Sequence, residues 1–118
     1  MDILTSFPPN IRFPHVYDHF ENNDNSYMVM SLFRGTKVNN LDKYTENTLR
    51  SILRGIARCL ILCHENEVIH LDVKPQNLMM SDMPETALTK MIDFGNSVRG
   101  TRVELKSRIG TLEYMSPE

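Results

Sequence analysis

The chain has 118 residues, is 41% hydrophobic and 24% charged, and carries a formal net charge of -2. That length fits a single domain with a modest core, and the composition excludes disordered and fibrous classes. A charge so near zero offers no electrostatic case for nucleic acid or a membrane surface as partner.

Residues 1–10 read as a short helical or irregular lead-in that Pro8 and Pro9 must stop. This lead-in has neither a basic start nor a long apolar run, so no secretion signal or membrane span is expected and an intracellular location is the default. Residues 11–20 and 27–33 are apolar and aromatic runs separated by the polar cluster Glu21, Asn22, Asn23, Asp24 and Asn25. The pattern predicts a hairpin, and Pro14 places its first strand at an edge or makes it irregular. Arg34, Gly35 and Thr36 end the second run.

Leu49, Ile52, Leu53, Ile56, Leu60 and Cys63 recur at spacings of three and four, which predicts an amphipathic helix facing the core. Asn47 is its expected N-cap, and Glu65, Asn66 and Glu67 suit its end. Arg50, Arg54 and Arg58 lie on another face, read as solvated rather than as a phosphate-binding stripe. The two cysteines, Cys59 and Cys63, read as reduced core thiols because no other cysteine is available to complete a site. Val68 and Ile69 form a short predicted strand. Two more are expected at residues 78–80 and 88–92, around the turn-forming Ser81, Asp82, Met83, Pro84 and Glu85. Residues 96–118 sustain no period and read as an extended functional loop.

Two segments carry chemistry: His70-Leu71-Asp72-Val73-Lys74-Pro75-Gln76-Asn77 and Asp93-Phe94-Gly95. They space carboxylates, an amide and a lysine at intervals that suit magnesium-assisted phosphoryl transfer. Both resemble the catalytic loop and metal-binding triplet of eukaryotic protein kinases of the serine/threonine type. A lone Asp-Phe-Gly is a plausible turn tripeptide anywhere, but two matched segments in the right order are specific. The resemblance extends along the chain. Met1, Asp2, Ile3 and Leu4 are similar to the last turn of the small-lobe helix, residues 27–33 to the strand entering the hinge, and residues 110–118 to the end of the activation segment. It implies an α+β, partial protein kinase-like fold, with residues 1–33 a remnant of the small lobe and hinge and residues 34–118 the first part of the large lobe.

The resemblance also implies roles. Asp72 would be the catalytic base, Lys74 the cation reaching the γ-phosphate, and Thr111 the residue that contacts both. Asn77 and Asp93 would hold Mg2+, and His70 would be a buried support for the loop. Met30 would guard the back of the nucleotide pocket, the Ser31 carbonyl and Phe33 amide would face adenine, and Met79 would pack beneath the purine. ATP and Mg2+ are thus the expected cofactors, and a protein serine or threonine the expected substrate. The resemblance leaves the oligomeric state open and the location either cytoplasmic or nuclear.

Departures are also visible. Lys37 stands where kinases often meet the ribose with an acidic or polar residue, and Leu71 where many carry an arginine that grips a phosphate on the activation loop. Ser107, the hydroxyl nearest the usual phosphorylation point, is therefore not expected to switch activity in the usual way unless Arg99 or Arg102 substitutes. No glycine-rich loop precedes the hairpin, and no Val-Ala-Ile-Lys-type lysine occurs. The 118 residues alone are expected to be marginally folded and weakly catalytic. A non-catalytic kinase-derived binding or regulatory module is the alternative reading.

Overall fold

In a computed structural model of the chain, residues 2–82, 88–104 and 107–117 are described. Met1, the Met83, Pro84 and Glu85 of the predicted turn, and Glu118 lie outside the described residues. Helix α1 spans Asp2–Ser6 and stops just ahead of Pro8 and Pro9, as expected. The side chain of Asn10 then accepts from the backbone N–H groups of Arg12 at 2.9 Å and Phe13 at 3.0 Å. This local turn competes with strand pairing, so the first strand, β1, begins only at Val16 and runs to Glu21 rather than from residue 11. Strand β2, Ser26–Met30, pairs antiparallel with β1, with a register shift between Val16 and Asp18. The Asn22 side chain closes the turn by accepting from the amides of Asp24 and Asn25 at 3.0 and 2.8 Å.

Gly35, read from sequence as the end of a run, opens β3, Gly35–Lys37. After a 3-10 turn at Leu41–Lys43, helix α2 covers Glu46–Glu65. Its N-cap is Thr45, whose hydroxyl accepts from Thr48 N–H at 3.3 Å. Asn47 already lies inside the helix, so the expected cap is displaced by two residues. The buried stripe is Ile52, Gly55, Cys59 and Cys63. Leu53 falls just off it and is 65% exposed, against the expectation of a core position. Arg50 pairs with Glu46 at 2.6 Å on the exposed side, and Arg54 and Arg58 are exposed as well, in accord with a solvated face.

Beyond α2, β4 (Val68–Ile69) pairs antiparallel with β7 (Val98–Arg99). Residues 96–118 are therefore not wholly loop, as the missing periodicity had implied. Two residues are too few to show a period. Strands β5, Leu78–Ser81, and β6, Thr89–Met91, join β3 in a three-stranded antiparallel sheet ordered β3-β5-β6.

The core has two centres. At one, the rings of Phe7, Phe13 and Phe94 meet with centroids 4.5 to 5.7 Å apart, a geometry worth about 0.5–1.5 kcal/mol per pair beyond area burial. At the other, α2 lies across β6. Both cysteines are free and fully buried here, and burial pushes the Cys63 thiol up to about 12, which makes it inert at neutral pH. No helix among the described residues is long and apolar enough to cross a membrane.

The α2–β6 crossing depends on Gly55. A Cβ there would stand 2.3 Å from the Thr89 hydroxyl oxygen, and Thr89 is itself buried. Ala would favour the helix by about 1 kcal/mol over Gly, but overpacking a buried contact costs about 1–3 kcal/mol. Gly55→Ala is therefore expected to lower the urea unfolding midpoint. An unchanged or raised midpoint would show that the helix can move away from β6 freely.

Candidate functional site

The polar centre forms where the chain leaves β4. His70 is buried, and its ring meets Phe94 with centroids 4.8 Å apart. The Nδ1 atom accepts from Asp72 N–H at 3.3 Å, and Nε2 faces the Ile92 carbonyl at 3.3 Å. A carbonyl can only accept, so the proton sits on Nε2 and the imidazole is neutral. Burial lowers its pKa in the same sense. Ser97 adds a third tie by donating to the His70 carbonyl at 3.1 Å.

Leu71 follows in a left-handed conformation, φ 65°, which costs a non-glycine residue about 1–3 kcal/mol unless its surroundings hold it. Gly110 supplies part of that hold. At φ 108° it passes so close to the Leu71 carbonyl that a Cβ would lie 2.4 Å from the oxygen. The crossing delivers the next residue, Thr111, to the segment that carries Asp72 and Lys74.

There the carboxylate of Asp72 gathers three partners. Thr111 Oγ1 donates to Oδ1 at 2.6 Å, Lys74 Nζ lies 2.8 Å from Oδ2, and Asn77 Nδ2 donates to Oδ2 at 3.1 Å. Asn77 also donates to the Asp72 backbone carbonyl at 2.9 Å, and Lys74 donates to Thr111 Oγ1 at 2.6 Å. Hydrogen bonds from Lys74 first, then Thr111, hold the Asp72 carboxyl down at about 2, so it is ionised at neutral pH. All four residues named from sequence as a catalytic set, Asp72, Lys74, Asn77 and Thr111, thus share one network.

A second set converges on a cavity of about 760 Å³. Met30 and Ser31 at the end of β2, Phe33, Met79 on β5 and Asp93 all line it. Asp93 has φ 62°, and its Oδ1 accepts from Gly95 N–H at 3.2 Å, which sets its carboxylate at the cavity wall. Among the described residues no hydrogen bond joins Asn77 to Asp93. No group of three His, Cys, Asp or Glu side chains that could hold a metal by themselves is present there either.

A family profile for the protein kinase domain matches residues 9–118. This chain belongs to the protein kinase family. Its relatives include CDPK-related kinase 5 of Arabidopsis thaliana, 34% identical over 125 residues, which cover 98% of this chain and 20% of that protein. Calcium-dependent protein kinase 24 of Arabidopsis thaliana is 32% identical over 123 residues, 100% of this chain and 21% of that protein. The probable serine/threonine-protein kinase pXi of Dictyostelium discoideum is 33% identical over 104 residues, 84% of this chain and 15% of its own length. The chain spans about a fifth of the length of the first two. Within this kinase segment the mixed helix and sheet follow a partial kinase-like fold.

Lys90, which sequence reading passed over as part of a strand, also lines the cavity. It is 6% exposed. Its strand neighbours, Thr89 and Met91, are buried as well.

The network makes a prediction about acid stability. The unfolded Asp72 carboxyl titrates near the ordinary value of about 3.9, and the folded one near about 2. The folded state therefore releases this proton more readily, and the resulting stabilisation is complete above about pH 4 and disappears as the pH falls through about 2. Urea unfolding of wild type and Asp72→Asn across this range is expected to show a stability difference that narrows on acidification. A difference constant from pH 6 to pH 2 would contradict the network.

Proposed function

We propose that this chain carries the catalytic centre of a serine/threonine protein kinase, which transfers the γ-phosphate of ATP to a serine or threonine hydroxyl of a protein. Residues 1–33 then belong to the small lobe and hinge, and residues 34–118 to the first part of the large lobe. The observation that carries this reading is the shared Asp72 carboxylate. It draws Lys74, Asn77 and Thr111, the last of them 39 residues away, into one network. Such an arrangement aligns an acceptor and a cation, which is most of what phosphoryl transfer asks of a protein.

Asp72, ionised at neutral pH, accepts a hydrogen bond from the attacking hydroxyl and orients its lone pair toward phosphorus. With a pKa of about 2 it is a weak base at rest, so it takes the proton late, as charge develops on the attacking oxygen. Lys74 places positive charge beside that carboxylate and stabilises the negative charge of the transferring group. Thr111 fixes both by bonding to each at 2.6 Å. Asn77 and Asp93 are the residues that would hold Mg2+. The Asn77 amide NH2 is engaged by Asp72, leaving its carbonyl oxygen to offer, and Asp93 presents an exposed carboxylate at the cavity. Two hard oxygen ligands suit an ion that fills the rest of its shell with phosphate and water. Bound Mg2+ supplies charge neutralisation at the phosphate oxygens.

The ATP base would enter the cavity between Met30, Ser31 and Phe33 on one side and Met79 on the other. Its volume of about 760 Å³ lies in the range of about 300–1,000 Å³ usual for small-molecule sites. Free, buried thiols fit an intracellular setting, cytoplasmic or nuclear.

Calorimetric titration of the chain with ATP and Mg2+ is expected to show binding that Asp93→Asn weakens and Asp72→Asn leaves nearly unchanged. Phosphate transfer to a serine-containing peptide is expected to drop at least about 100-fold in Asp72→Asn. Binding indifferent to Asp93→Asn would remove the metal assignment, and transfer indifferent to Asp72→Asn would remove the base.

A further inference from the structure

Lys90 is a buried residue in the wall of the nucleotide cavity, and among the described residues its ammonium makes no hydrogen bond or ion pair, the Asp93 carboxylate of the same cavity included. The ammonium meets an aromatic face: Nζ stands 4.9 Å from the centroid of the Phe33 ring. A buried charge without an anion is costly, and burial lowers the pKa of this lysine accordingly. A methionine of similar length would fill the same space without that cost. The ammonium must therefore be explained by something other than packing.

The topology suggests what. Lys90 sits on β6 directly across from Met79 on β5, and Met79 is in turn across from Lys37 on β3. Phe33 lies just ahead of β3, at the point where the chain leaves the hairpin for this sheet. Apart from that chain connection, the cation on the ring is a bond from the large-lobe sheet back to the segment that carries residues 31–33. Such a contact is stronger where its surroundings are largely desolvated, and Lys90 as a residue is 6% exposed.

We infer that Lys90 is a positioning residue for nucleotide binding: its ammonium, seated on the Phe33 ring, holds the Phe33 backbone at the cavity edge where the adenine base docks. The inference rests on the ATP reading above. Lys90 touches no reacting atom in this account; it acts through Phe33.

The test is a double-mutant cycle read in affinity for ATP with Mg2+, with urea unfolding measured in parallel. Lys90→Met is expected to keep or raise stability yet weaken ATP binding roughly tenfold, the range set by a desolvated cation–π contact. Lys90→Arg, which keeps the cation, is expected to stay within about threefold of wild type, since guanidinium also stacks on aromatic faces. Phe33→Leu is expected to lose about as much as Lys90→Met, and the double variant no more than either alone. A purely structural lysine would instead move stability and leave affinity alone. Wild-type affinity in Lys90→Met, or losses that simply add in the double variant, would overturn the inference while leaving the ATP reading intact. Should Lys90→Met not fold, Phe33→Leu and Lys90→Arg decide alone: full affinity in Phe33→Leu or a tenfold loss in Lys90→Arg overturns it. A wild-type chain that binds no ATP would overturn both.

Discussion

The Asp72 carboxylate has three claimants, Lys74, Asn77 and Thr111, and satisfying them together constrains the path of the chain from residue 72 to residue 111. Lys74 and Asn77 come from the same loop and need only local folding. Thr111 comes from 39 residues away, so the chain between must return to the loop. It does so through the β4–β7 pair and the close passage of Gly110 over the Leu71 carbonyl. The strained backbone at Leu71 is a consequence: left-handed geometry there turns the carbonyl toward Gly110 while Asp72 faces inward. Remove the carboxylate and little reason remains for the chain to accept that strain.

Support for this loop comes from beneath. The neutral imidazole of His70 bonds to the backbone of Asp72 on one side and Ile92 on the other, linking the polar network to the strand that leads into Asp93. Phe94 meets the rings of His70, Phe13 and Phe7, so the residue after Asp93 is anchored in the core while Asp93 stays at the surface of the cavity. One aromatic cluster thereby positions both halves of the site. The apolar half, with Met30, Phe33 and Met79, lines the cavity that Asp93 also reaches, while Asp72 and Lys74 form the ionic half beside it in sequence.

What could be read from the sequence was the part written in contiguous residues. The run from His70 to Asn77 and the triplet Asp93 to Gly95 carry their spacing in the chain itself, and α2 declares itself by its period. The partial kinase-like fold follows from those segments, and the first two relatives match nearly the whole chain in sequence. What escaped has a physical cause in each case. Strands β3 and β7 are two or three residues long, and the partners that stabilise them lie some tens of residues away, beyond any local pattern. Leu53 obeys the three-and-four spacing yet faces solvent, because a period of 3.6 leaves the edge of a helical face ambiguous by one residue. Thr45 rather than Asn47 caps the helix because backbone geometry, not residue type alone, selects the N-cap. Lys90 was invisible because hydropathy places a lysine outside, and only the fold shows it inside.

The central claim is that the cavity and the Asp72 network serve one bound ATP. Amide chemical shifts of the isotopically labelled chain, followed during titration with ATP and Mg2+, test it most directly. The account predicts that Ser31 and Phe33 on the cavity wall and Asp72 and Asn77 of the network shift together and saturate at the same ATP concentration. Shifts confined to other surfaces, or cavity shifts that saturate while Asp72 and Asn77 stay still, would contradict it.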